Sequence, residues 1–397
     1  MTDRPTLLLY CQHSLGLGHL KRSWALAAAL SAEFRVLLVS GGARPNDMTA
    51  PHGIETLDLP ALAQDEAGRL FTVDEHLSVD DARERRRQCL IAAYRNIRPA
   101  VVMIELFPFG RRKFAHELMP LLEETRRGPR PVVASSVRDL LVDRGSGQQK
   151  HDDRAAAILD EYFDAVLVHT DPRFSTLDDT FRPSAPLRTP VYHTGFVVAD
   201  ASRHEASNGR RILVSGGGGR FAEPLYAAAI EAHRMLSPDA PPLTIVAGPL
   251  CPTDTVERLR ATIARDDRIV VNTTVADLAG EMRQSSLSVS QCGYNTALDI
   301  LRAGVPALVV PFAGNGDSEQ TERAVRLARL GAVRMLAASD LRPDALASAM
   351  QAAMDFVPQP VSLDFDGAAR TSRLLTAMLG DAQPVWRQVG AAAARVS

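Results

Sequence analysis

The stretch SQCGYNTALDILRAGVPALVVPF, residues 290–312, restricts the possible folds more than any other part of the chain. It reads as strand, glycine turn, helix, glycine and Pro-introduced strand, followed by an acidic-amide loop, DSEQTERA, at 317–324. Gly293 with Tyr294, Asn295 and Thr296 stands where the helix begins, so backbone N–H groups there have no intrahelical partner. A helix N-terminus of this kind attracts anions such as a diphosphate. Asp299 falls six residues after Gly293, about one and a half turns into the helix. A carboxylate there can accept hydrogen bonds from a ribose diol. Together these features suggest a site for a nucleoside diphosphate.

The same punctuation recurs along the chain. Strand-like runs at 7–10, 35–40, 54–57, 100–105, 131–135 and 165–169 are interleaved with helical patterns at 20–30 and 79–96. A second set of strand-like runs follows at 211–215, 243–247, 269–271, 287–290, 306–310 and 332–335. Strands alternating with helices imply a parallel sheet covered on both faces. The fold class expected is therefore α/β, with two tandem Rossmann-like, doubly wound domains and a cleft between them. Residues 1–197 would form the first domain. The polar, small-residue segment 198–210 reads as a linker. Residues 211–365 would form the second domain, and 366–397 a C-terminal helix and a frayed tail. In such sheets ligands bind beyond the carboxyl ends of the strands.

Composition narrows the function classes. A formal net charge of −2 does not favour a nucleic-acid partner. The basic clusters at 83–87 (RERRR) and at Arg111, Arg112 and Lys113 read as solvated faces. The sharper alternative is contact with anionic lipid heads or an acidic acceptor. No apolar run reaches the ~18 residues of a membrane span. The N-terminal apolar run leads straight into a glycine turn, so it reads as a first strand and not a signal peptide. Cys11, Cys89, Cys251 and Cys292 are scattered, with neither CxxC pairs nor zinc spacing. Buried free thiols in a reducing cytoplasm are the expectation.

Two further glycine turns carry candidate chemistry. SLGLGHLKRS, residues 14–23, follows the first strand and opens the first helix. Gly16 and Gly18 permit close approach of a ligand, and His19 at the helix start can serve as a general base. Lys21 and Arg22 could meet acidic groups or be solvated. VSGGGGR, residues 214–220, follows the first strand of the second domain. Ser215, the run Gly216, Gly217, Gly218 and Gly219, and Arg220 could turn amides inward on a phosphate. No Gly-Lys-Ser/Thr follows, so this is not a Walker A loop. Among N-terminal residues, Glu105, Arg138 and Asp171 each follow a strand and are candidates for an acceptor surface. Residues 193–195 read as a hinge. The DxD string at 364–366 precedes a helix, where capping accounts for it better than a metal does.

The second half resembles the GT-B glycosyltransferases of the MurG type, which share the family 28 C-terminal domain and carry UDP-GlcNAc to a lipid-linked acceptor. The residues that carry the likeness are Gly293, Thr296 and Asp299, then Gly304 and Pro306, then Asp317, Glu319 and Gln320. The resemblance implies Asp299 on the ribose hydroxyls, and Glu319 and Gln320 on the sugar hydroxyls. It also places Val275 where the family holds uracil through backbone groups, and it matches the glycine turns at 16–18 and 216–219. Asp stands at 299 where the family usually has Glu, a methylene shorter, and Glu stands at 319 in place of the first Gln. The whole chain is also similar to a bacterial group of predicted glycosyltransferases with a YCQH-x-LGxGH start and an ELFPFGRRKF segment.

What the resemblance implies is an inverting, metal-independent glycosyltransferase. A UDP-sugar would be its co-substrate, with no cofactor. The acceptor would be a small molecule or lipid-linked, and the place the cytoplasm or the inner face of a membrane. The start GLGHLKR also resembles MurG-like UDP-sugar hydrolases, whose GxGHxxR turn carries a histidine that activates water. A GT-B epimerase would need an acid-rich set that is not evident, and a non-enzymatic nucleotide-sugar-binding protein is a further alternative.

Overall fold

The computed structural model describes residues 4–13, 17–44, 48–65, 68–142, 145–198, 211–312, 314 and 318–380. Gly16, Asp317, linker residues 199–210 and the tail after 380 lie outside these. In chain order the elements begin with β1 (Thr6–Cys11), α1 (Gly18–Leu30), β2 (Arg35–Ser40), β3 (Glu55–Asp58), β4 (Leu62–Gln64) and β5 (Leu70–Thr72). Next come α2 (Val79–Ile97), β6 (Val101–Glu105), α3 (Ala115–Glu124), β7 (Val132–Val137), α4 (Gln148–Tyr162), β8 (Ala165–Val168) and β9 (Val191–His193). The series continues with β10 (Ile212–Ser215), α5 (Glu223–Met235), β11 (Leu243–Val246), α6 (Thr253–Thr262), β12 (Ile269–Asn272) and α7 (Leu278–Arg283). It closes with β13 (Leu287–Ser290), α8 (Tyr294–Ala303), β14 (Ala307–Val309), α9 (Glu319–Arg329), β15 (Arg334–Met335), α10 (Pro343–Met354) and α11 (Gly367–Gly380).

Two compact units result, Met1–Ala199 with Leu363–Ser397, and Asp200–Ser362. Helix α11 belongs to the first unit, where it packs on α1. The first unit holds a seven-stranded parallel sheet in the order β3-β2-β1-β6-β7-β8-β9. The second holds a six-stranded parallel sheet in the order β12-β11-β10-β13-β14-β15. Each sheet winds outward from its first strand, then returns to that strand's other side and winds the opposite way. The doubly wound pattern is thus present in both units. Its order reverses between β1 and β6, and again between β10 and β13. Helices diverge at such a point and leave a crevice beyond the strand ends.

The strands read as continuous apolar runs because both sheet faces are covered. Leu7, Leu8, Leu9 and Tyr10 of β1 are all inaccessible to solvent. Helix α2 starts at Ser78, whose hydroxyl accepts the Asp81 N–H, and stops at Arg98 in the left-handed conformation. Arg86, inside the RERRR cluster, is not on a solvated face. It is wholly buried, and its guanidinium reaches Glu117 Oε1 at 2.6 Å and Oε2 at 2.8 Å. The same group donates to the carbonyls of Gly41 (2.7 Å) and Pro60 (2.9 Å) and to Gln12 Oε1 (2.7 Å). Arg87 and Arg83 do lie outside, on Glu84 and Asp80. No described helix is long and apolar enough to cross a membrane.

Candidate functional site

In the first unit, the reversal of strand order brings the start of α1 beside the end of β6. His19 is in the first turn of α1, and its Nδ1 lies 2.5 Å from Glu105 Oε1. Glu105 is the last residue of β6 and fully buried. Arg22, one turn beyond His19, donates to the same oxygen at 2.6 Å, and Arg111 donates to Oε2 at 3.3 Å. Two guanidiniums around one buried carboxylate keep it ionised: burial raises its pKa, but His19, Arg111 and Arg22 together bring it well below the carboxylate range. For His19 the balance runs the other way. Burial lowers its pKa, Glu105 opposes this, and Arg138 and Arg111 lower it further, to about 3. The imidazole is therefore neutral at physiological pH, with its proton on Nδ1 facing Glu105. Nε2 carries no hydrogen bond among the described residues, and the side chain retains 15% exposure. A neutral imidazole with an anchored Nδ1–H and an open Nε2 lone pair is the form that accepts a proton.

The second unit assembles a different site at its own reversal. Ser215 and Ser290, at the ends of β10 and β13, are register partners, and both hydroxyls are buried without a partner among the described residues. The glycine loop follows Ser215. Gly217 and Gly219 have φ of +61° and +88°, values that only glycine adopts readily. A methyl on Gly217 would stand 3.3 Å from Thr296 Oγ1, so the loop lies against the first turn of α8. Gly293 caps that helix with extended backbone and no side-chain hydrogen bond, so the glycine loop and the positive end of the α8 dipole lie at one place. The loop after β11 joins in: Leu250 N–H donates to Gly218 O, and Gly248 N–H to Thr273 O, both at 2.8 Å. Half-buried Val275 follows two residues later. Asn295 and Asp299 are half-buried on α8, and Thr296 is buried.

A methyl at Gly219 would lie 1.9 Å from the Ala247 carbonyl oxygen, at a backbone angle L-residues avoid. One at Gly218 would meet nothing nearer than Leu250 Cδ1 at 3.6 Å. Gly219→Ala should therefore lose about 1–3 kcal/mol of stability, seen as a lower melting temperature, while Gly218→Ala melts with the parent. Equal melting of the two variants would mean that the loop carries no conformational strain.

Several residues singled out in the sequence serve roles other than those expected. Glu105 lies behind His19, not on an acceptor surface. Asp171 accepts from Arg173 and from the Asp364 N–H (2.8 Å), so it ties down the segment before α11. Its pKa is lowered to about 2, chiefly by the Arg173 hydrogen bond. Asp364 in turn accepts the Asp366 N–H and pairs with Arg370, a structural use of the DxD string. Arg138 remains half-buried and near enough to His19 to depress its pKa. Thr194, in the expected hinge, hydrogen-bonds buried His169 within the first unit. In the second unit Glu319 is buried against Arg323 at 2.5 Å, and Arg323 also donates to Cys292 O. Gln320 Oε1 accepts the N–H groups of Cys292 (3.0 Å) and Phe312 (3.2 Å), so only its amide nitrogen is left to meet a ligand.

Sequence reasoning passed over Arg111 as a partner of Glu105, the 248–250 loop, and the aromatic residues Phe221 and Phe312. The spacing of Phe221 directly after GGGGR was the available signal for the last of these.

Residues 213–362 match the Glycosyltransferase family 28 C-terminal domain. A UDP-N-acetylglucosamine--N-acetylmuramyl-(pentapeptide) pyrophosphoryl-undecaprenol N-acetylglucosamine transferase of Methylorubrum extorquens is 34% identical over 102 residues, 25% of this chain and 27% of that one. The protein of the same name from Halorhodospira halophila is 31% identical over 163 residues, 41% of this chain and 44% of that one. The chain thus spans less than half the length of these curated relatives. Across the whole fold, a calicheamicin glycosyltransferase superposes with a TM-score of 0.58 at 16% identity, covering 100% of both chains. MurG of Acinetobacter baumannii superposes with a TM-score of 0.57 at 16% identity, over 94% of this chain and 100% of that one. The fold is that of the GT-B glycosyltransferases, with two Rossmann-like units.

Proposed function

We propose that this chain, whose residues 213–362 match the family 28 C-terminal domain, is a glycosyltransferase that takes its sugar from a UDP-sugar. The observation that carries the reading is the convergence, at one reversal of strand order, of the glycine loop 216–219 with the N-terminus of α8. Backbone N–H groups there would take the diphosphate, and Asp299 the ribose. Gln320 would donate its amide N–H to a sugar hydroxyl. The relatives named above act on a UDP-linked sugar and a lipid-linked acceptor by their names. UDP-GlcNAc and a small-molecule or lipid-linked acceptor are accordingly the first candidates here, and a lipid-linked one would bring the protein to the cytoplasmic face of a membrane.

The reaction is a single displacement. As the acceptor oxygen or nitrogen bonds to the anomeric carbon, its proton passes to His19 Nε2. The bond from that carbon to the diphosphate breaks, UDP leaves, and the configuration inverts. Loop amides and the helix N-terminus stabilise the departing charge, work that a metal performs in other designs. The same neutral His19 could activate water, so hydrolysis is the second reading. A binding protein without turnover would have no use for an imidazole held neutral with its Nε2 open.

The test is to incubate the protein with UDP-GlcNAc, and then other UDP-sugars, without acceptor and with EDTA, following binding and UDP release together. Tight binding with only trace release is expected. Sustained release of UDP and free sugar would make it a hydrolase, and no binding of any UDP-sugar would overturn the donor assignment.

A further inference from the structure

Directly after the glycine loop, Arg220 is exposed, and it has neither an ion pair nor a hydrogen bond among the described residues. Its guanidinium lies 5.8 Å from the centroid of the Phe221 ring. Phe221 stacks on Phe312, with centroids 5.2 Å apart and an interplanar angle of 17°. Phe312 in turn lies against Gly314, where a methyl would stand 2.2 Å from its ring edge. Gly314, Phe312, Phe221 and Arg220 thus form a ladder that ends in a cation. Both rings are anchored through their backbones: Gln291 donates to Phe221 O at 3.3 Å, and Gln320 accepts the Phe312 N–H. Other arginines of this unit pair with carboxylates, Arg323 with Glu319, Arg283 with Asp277, and Arg258 with Glu223 and Asp254.

We propose that Arg220 is the cation that pairs with the diphosphate of the bound nucleotide, and that Phe221 and Phe312 are positioning residues that hold its guanidinium beside the glycine loop. This rests on the reading of the second unit as a nucleotide site and extends it. Loop amides supply hydrogen bonds without net charge, and a doubly charged leaving group needs a countercharge. A flexible arginine alone would lose rotamer freedom on pairing, whereas one held over an aromatic face is restrained beforehand. The ladder therefore makes Arg220 ready to meet the charge that grows as the sugar departs.

The experiment is calorimetric titration of the intact protein with UDP, uridine and inorganic pyrophosphate. Arg220→Ala should weaken UDP and pyrophosphate by about ten- to a hundredfold and leave uridine unchanged. The salt dependence of UDP binding should flatten in the same variant. Phe221→Leu keeps apolar volume but removes the ring face, and should weaken UDP by roughly two- to fivefold. In the Arg220→Ala background that second loss should vanish, because the ring acts through the arginine. Equal losses for UDP and uridine, or additive losses in the double variant, would reduce the ladder to packing and overturn the proposal. If Phe221→Leu does not fold, Arg220→Lys tests the same point: charge is kept, stacking and forked pairing are lost, and UDP affinity should fall between parent and alanine. A parent protein that binds pyrophosphate through Arg220 but no UDP would sink the donor reading and leave the anion site standing. A parent that binds neither would sink both.

Discussion

His19→Ala is expected to lower kcat by about 10²–10⁴-fold while UDP binds as it does to the parent protein. The size follows from the proposed role: a positioned base would remove the acceptor's proton in the transition state only, while the nucleotide contacts proposed above come from the residues of the second unit. The environment of His19 also sets a signed pH dependence. Burial, with Arg138 and Arg111, brings its pKa down to about 3 against the pull of Glu105. The base form therefore prevails at every pH above that value, and kcat/KM should stay level on the acid side through 6.5, where an ordinary histidine would lose activity. An acid limb near 6.5 would mean that the imidazole is not held as described. Glu105→Gln tests the positioning separately. A neutral amide can donate to Nδ1 and so drive the proton to Nε2, the wrong tautomer for a base. Its kcat should fall by about 10²-fold or more at all pH values, with UDP affinity kept. Turnover in His19→Ala equal to that of the parent would remove the histidine from the mechanism.

Much of this arrangement could be read from the sequence, for a physical reason. Glycine turns between a buried strand and a helix have a 3.6- or 2-residue pattern on either side, so the βα punctuation at Gly18, 216–219 and 293 is legible without any knowledge of tertiary contacts. The helix over 79–97 and the strand over 287–290 lie within a residue of where periodicity puts them. Strands β4 and β5 escaped notice because three-residue strands have too few alternations to register. The functional reading of Glu105 was incomplete for a different reason. That a carboxylate closes a strand is visible locally, but its meeting with His19, 86 positions away, depends on β1 and β6 being neighbours. The fate of Gln320 was likewise hidden: its carbonyl satisfies N–H groups of two other loops, a debt of the backbone that no side-chain motif reports. RERRR looked like a solvated charge run because nothing in the string marks Arg86 as different from Arg85 or Arg87.

That one arginine leads to the largest stability effect expected here. Arg86→Met removes the guanidinium that Glu117 pairs with and leaves a buried carboxylate with Tyr10 and His116 beside it among the described residues. Breaking one side of a buried pair costs about 3–5 kcal/mol, far more than the pair is worth against an apolar substitute. For a unit of this size that corresponds to a melting temperature lower by roughly 6–20 °C. The pH dependence distinguishes this cause from lost packing. In the parent, burial raises the Glu117 pKa, but His116, 3.4 Å away, and the hydrogen bonds from Arg86 reverse this and leave it below the usual value. Its stabilisation is thus present above the unfolded pKa and lost as pH falls through the folded one. Without Arg86, burial prevails and the folded pKa rises above the unfolded one. The variant then loses stability as pH rises, so the gap to the parent should narrow towards pH 4–5 and widen at neutrality. Replacing Glu117 by leucine in the same chain should recover part of the loss, because no charge is left unpaired; the carbonyls of Gly41 and Pro60 and the amide of Gln12 would still lack their donor. A gap that is the same at pH 5 and pH 8 would show that Arg86 matters for its bulk over Phe114 and not for its charge. Because Tyr10 and Gln12 close β1 on the approach to His19, the charge-dependent outcome would also tie the stability of this network to the placement of the proposed base.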